Sequence, residues 1–124
     1  MRTLDTNPAS VPTAAEYEAG LRKIRDDMTL NQLLLLQRHH SAPGRSATAR
    51  QLADHLGYAN WGGTNLQYGL LAKKLAEAMG VEVNGDLVYL LATFKREADV
   101  AEGEVQLVMR PQLAAALQSL KWVW

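Results

Sequence analysis

"GYANWGGTNLQYGLLAKKLAEAMG", residues 57–80, decides the fold. It opens as a polar, aromatic turn containing glycines and continues as a run with helical periodicity. Tyr68, Leu71, Leu75 and Met79 recur three and four residues apart, the spacing of one helix face. Gly80 stands where a helix ends in the left-handed conformation that glycine adopts without steric cost, and Gly57 marks the end of a preceding helix in the same way. "TNLQ" (Thr64–Gln67) reads as a capping box. In that box the threonine hydroxyl accepts from the backbone N–H three residues on, and the Gln side chain returns a bond to the threonine N–H. The stretch predicts a helix near 64–79.

The same Thr-x-x-Glu/Gln pattern recurs at Thr13–Glu16, Thr29–Gln32 and Thr48–Gln51, each time before an apolar-periodic run. Met28 with Leu33, and Ala47 with Leu52, sit at hydrophobic-staple offsets around two of these caps. Helices are expected near 13–27, 29–40 and 48–56, with "SAPGRS" as a turn between the second and third. After Gly80 the pattern changes. "VEVNGDLVYLLATF" puts Asn-Gly between β-prone runs, a strong hairpin cue. Val88, Leu90, Ala92 and Phe94 alternate, as do Val105, Leu107 and Met109, predicting two half-buried strands joined by a long polar loop, Lys95–Glu104. "RPQLAAALQSLKWVW" then begins a closing helix with proline at its first position. The fold expected is one mainly α domain with a C-terminal β-hairpin, an α+β, winged-helix-like unit over 1–124, in which 1–12 form a flexible N-terminal segment.

With 124 residues and 48% hydrophobic content the chain can bury a core of its own. The absence of cysteine excludes disulfide frameworks and thiolate metal sites. "MRTLDTNPASVPT" carries no apolar core of the signal-peptide kind, and no run approaches a membrane span. A soluble, cytoplasmic protein is expected. Net charge is zero, but residues 22–74 hold eight bases against three acids. Such segregation lets a middle segment attract phosphate while the whole stays neutral.

Helix, turn, helix and then a β-wing are the parts of a winged helix, with 64–79 as the reading helix. Asn65 and Gln67 near its start carry amides able to pair with adenine edges. Arg45, Arg50, Lys73 and Lys74 are the candidate phosphate contacts. Lys73 and Lys74 lie about 100° apart and opposite the core stripe, so both are expected to face solvent. Against DNA binding stand the long turn "GYANWGG", an acid-rich wing loop, and the use of Gln67 as a cap. Trp61 can stack on an exposed base or plug the space between helices. Trp122 and Trp124 pack back or face a partner. Tyr68 belongs to the core. His39 and His40 are adjacent on a helix and cannot share one metal without distortion. No nucleophile, base and orienting group assemble, so no catalysis, metal or cofactor is expected.

The segments "APGRSATARQLADHLGYANWGGTNLQYGLLAKKLAEAMG" and "VMRPQLAAAL" resemble a small bacterial module fused to, or found beside, HNH-type endonucleases. The marks are the "LGY...NLQYG" core and the "MRP.LA.AL" helix, over roughly residues 30–124. The resemblance implies DNA recognition beside a nuclease, in restriction or mobile-element defence. The His-Asn-His set of the nuclease itself is missing, so the implied role is non-catalytic. The expected partners are duplex DNA and a nuclease or another protein. The competing reading is a protein-interaction or assembly module without nucleic-acid binding, supported by zero net charge and the terminal tryptophans.

Overall fold

The computed structural model describes residues 2–58, 60–95 and 104–124. Besides short 3-10 turns, ten strands and α-helices follow one another there: β1 (Arg2–Leu4), α1 (Ala14–Ile24), α2 (Leu30–Ser41), β2 (Ser46–Thr48), α3 (Ala49–Leu56), α4 (Gly62–Met79), β3 (Val81–Val83), β4 (Ala92–Lys95), β5 (Gln106–Met109) and α5 (Pro111–Ser119). Helices dominate, and two small sheets complete an α+β architecture.

Three of the four capping boxes form. Thr13, Thr29 and Thr48 each accept from the amide three residues on and receive the reciprocal side-chain bond. Thr29 is itself exposed, so replacing it leaves the core side chains in place, although its partner Gln32 is buried. Thr29→Ala should therefore cost about 1 kcal/mol in denaturant unfolding, and Thr29→Asp should recover most of it. An unchanged midpoint in the alanine variant would mean that the cap contributes nothing.

The fourth box does not form. Helix α4 begins two residues early, at Gly62, whose N–H donates to Asn60 Oδ1 at 2.9 Å. Thr64 thus lies inside the first turn, fully buried, and its hydroxyl donates to Ala49 O at 3.1 Å. It joins α4 to the start of α3 instead of capping its own helix. Gly57 and Gly80 close α3 and α4 with φ of 73° and 67°, as their positions predicted.

The Asn-Gly hairpin is also absent. Val81–Val83 pair in parallel with Arg2–Leu4, and Asn84 N–H extends the ladder to Leu4 O at 2.9 Å. Gly85 turns at φ 99°, and Asp86 Oδ1 caps a 3-10 turn over Leu87–Leu90. Val88 and Leu90 are therefore buried in that turn, not in a strand. The strand pairing expected farther on does occur. β4 and β5 run antiparallel, from Ala92↔Met109 to Lys95↔Gln106, while residues 96–103 of the expected loop lie outside the described residues. On its other side β5 takes β2, so the sheet order is β2-β5-β4. The two strands before residue 80 have three residues each. Residues 2–12, expected as a flexible segment, include β1, a 3-10 turn at Pro8–Ser10 and the buried Leu4.

Helix α4 runs through the middle. Tyr68, Leu71 and Leu75 meet Tyr17 and Leu21 of α1, Leu35 and Leu36 of α2, and Leu52 of α3 in one core. Helix α1 also packs on α5. The α1–α4 crossing is tight at Gly20, where a Cβ would stand 2.5 Å from Met79 Cγ. No helix among the described residues is long and apolar enough to cross a membrane.

Candidate nucleic-acid interface

Residues 57–61 join α3 to α4. The Tyr58 ring lies over the start of α4, where a Cβ on Gly63 would come within 3.0 Å of it. The glycine lets ring and helix approach. Trp61 precedes the helix, half-buried against the core and without a side-chain cap bond. Packing against the core is thus the role its surroundings give it.

The buried face of α4 is held by His39. Its ring is fully buried between α2, α4 and β5. Nε2 stands 2.8 Å from Leu107 O and Nδ1 2.8 Å from Tyr68 Oη. A carbonyl only accepts, so Nε2 carries the hydrogen and Nδ1 accepts a hydrogen bond from the Tyr68 hydroxyl. Burial holds the His39 pKa below the ordinary histidine value, against the raising effect of its bond to Leu107 O. Burial likewise pushes the Tyr68 hydroxyl far up. Both groups stay neutral, and the hydrogen-bonded pair locks the orientation of α4 against the sheet.

Away from the core, α4 exposes Gly62, Asn65, Leu66, Leu70, Lys73 and Glu77. Leu66 and Leu70 are 61% and 44% exposed. From Gly62 to Ala72 the helix carries no charge. Between α4 and the β4–β5 pair lies a recess of about 140 Å³, whose rim includes Asn65, Gly69, Asp86 and Phe94. An amide at such an edge can pair with a base, and leucines can meet thymine methyl groups.

The sequence-predicted residues are only partly brought together. Asn65 and Lys73 share the outer face of α4. Gln67, free of the missing cap, is half-buried and lies 3.4 Å from Gln32 Nε2. Lys74 is half-buried where full exposure was expected: its ammonium donates to Asp27 O at 2.6 Å and to Gln32 Oε1 at 3.2 Å. Arg50 is exposed and forms an ion pair with Glu104 at 2.6 Å, tying α3 to the segment just before β5. Arg45, half-buried with φ 53°, lines a recess with β4, β5 and α5 to which α4 contributes nothing. The positive middle segment is thus divided among separate surroundings. Trp122 is half-buried with the Arg25 guanidinium 5.6 Å over its ring, and Trp124 is 90% exposed. Leu66 and Leu70 were missed, although their positions off the Tyr68–Leu71–Leu75 stripe could have exposed them. Among the described residues no three His, Cys, Asp or Glu side chains gather as a metal site.

Compared with known proteins, the chain matches no family model, no curated protein and no solved structure.

Proposed function

We propose that this chain is a non-catalytic DNA-recognition module of winged-helix type, which lays the outer face of α4 in the major groove with the β4–β5 hairpin alongside. The observation that carries the reading is chain order. Helix α2, strand β2, helices α3 and α4 and, after β3 and a 3-10 turn, β4 and β5, in sheet order β2-β5-β4, agree with the succession of a winged helix. The reading helix offers Asn65 for a base edge and Leu66 and Leu70 for methyl groups, and Gly62 and Gly69 allow close backbone approach. The resemblance to an HNH-associated module points to the same class, with a nuclease as the protein that would act on the bound DNA.

A titration against random duplex at several salt concentrations tests this. Binding should weaken with salt, and Lys73→Ala should flatten the slope by about 0.9, the share of one neutralised phosphate. Lys74→Ala should leave the slope almost unchanged, since its ammonium is held by Asp27 O and Gln32. Asn65→Ala should alter sequence preference. Absence of duplex binding at low salt overturns the proposal.

One observation favours a second reading. The exposed Leu66–Leu70 pair on a charge-free helix face suits the apolar centre of a protein interface. In that case Leu66→Glu would abolish association with a protein partner, and duplex would not compete for the face.

A further inference from the structure

We propose that the cleft between the N-terminal segment and the foot of the β4–β5 pair binds a small planar ligand bearing one acidic group. The cleft has a volume of about 560 Å³, within the usual range of small-ligand pockets. No residue of α4 lines it, and Phe94 is the one residue it shares with the recess beside α4.

Arg110 supplies the charge. Its side chain is half-buried, and Nε donates to Tyr89 O at 2.6 Å, which fixes the plane of the guanidinium. Among the described residues its terminal nitrogens meet no acceptor and it forms no ion pair. A guanidinium held by one edge presents its other donors as a fork that suits a carboxylate or phosphate. Asp5 lines the same cleft, but its Oδ1 accepts from Asn7 N–H.

Tyr89 and Phe94 supply the flat surface. Their ring centroids lie 4.8 Å apart at a tilt of 55°, and Phe94 remains 36% exposed. An aromatic ring open to the cleft favours a stacked or edge-on ring partner. The Asn84 and Gln112 side chains add amides at the margin. The walls are pre-formed: Leu4 is buried, Asn84 N–H is bonded to Leu4 O, and the Asn7 side chain caps the turn at Ala9. Little ordering is left for the ligand to impose.

The test follows the side-chain amide NMR signals of Asn84 and Gln112 during titration with benzoate and with adenosine monophosphate. Benzamide and inorganic phosphate serve as the neutral ring and the ringless anion. At least one of the two acidic ring compounds should give saturable shifts with Kd of about 1 mM or tighter, and benzamide should bind about tenfold more weakly. A response to adenosine monophosphate alone identifies a nucleotide, and a response to benzoate identifies a simple aromatic acid. Arg110→Ala should weaken binding about tenfold or more. Because Arg110 also braces Tyr89 O, two further variants keep the test independent of folding. Phe94→Ala should weaken the ring compounds without changing the response to phosphate, and Asp5→Asn should tighten the acids by removing a like charge. The proposal is overturned if neither acid gives saturable shifts up to about 10 mM. It is equally overturned if benzamide binds as well as benzoate, or if both Phe94→Ala and Asp5→Asn bind like the parent.

Discussion

Tyr68→Ala should remove about 3–5 kcal/mol of stability, the usual cost of deleting a buried aromatic side chain. A domain of this size has about 5–15 kcal/mol in all, so the variant should sit close to unfolding. The residue is fully buried in the middle of α4, and its ring lies 5.7 Å from that of His39. Alanine would open a cavity at the point where α2, α4 and β5 meet and would strip His39 Nδ1 of its donor. Tyr68→Phe separates these losses. It keeps the ring and removes only the hydroxyl, leaving a buried ring nitrogen without a partner at a cost of about 1–3 kcal/mol. Urea unfolding of both variants measures the difference. A phenylalanine variant as stable as the parent would mean that the His39–Tyr68 bond contributes nothing.

Mild acid should destabilise the fold through the same histidine. Burial places the folded pKa of His39 below the unfolded value near 6.5, so the unfolded chain takes up the proton first. The stabilisation from keeping this ring neutral is complete above pH 6.5. It declines as pH falls from there toward the folded pKa, with a slope of at most about 1.4 kcal/mol per pH unit for one group. His40, lowered by burial first and by nearby Arg45 second, steepens the same limb. Unfolding free energies measured from about pH 8 to pH 5 should therefore fall toward acid, and His39→Phe should flatten the curve. A parent curve that is level across that range would show that His39 titrates normally in the fold.

The local signals were legible and the long-range pairings were not. Threonine caps and αL glycines involve neighbours a few residues apart, so helices α1, α2 and α3 could be placed from the sequence to within a few residues. Thr64 shows the limit of that reasoning. A Thr-x-x-Gln pattern does not reveal whether the threonine precedes the helix or lies in its first turn. The choice depended on Asn60 capping Gly62 and on Ala49 O waiting across the turn. The Asn-Gly turn failed for a similar reason. Val81–Val83 found a partner in Arg2–Leu4, almost eighty residues away, which no periodicity announces. Strand β2 was hidden because its three residues end on a threonine that reads as a cap. At the candidate site the helical wheel placed Lys73 correctly. It could not foresee that the flexible Lys74 stem would reach Asp27 O. Arg50 and Glu104 are far apart in sequence, so their pairing was equally out of view.

The way early segments lean on late ones sets the timing of folding during synthesis. Helix α1 needs α4 and α5 to cover it, and its Tyr17 hydroxyl donates to Leu90 O at 2.6 Å. Strand β2 pairs with nothing made before β5. While the ribosome is still translating the middle of the message, Tyr17, Leu21, Leu35 and Leu36 belong to a chain with no completed core. The cover over α1 is complete only once residues 111–119 are available to pack on it. Until that moment the nascent chain carries exposed apolar helices, the kind of surface that chaperones hold.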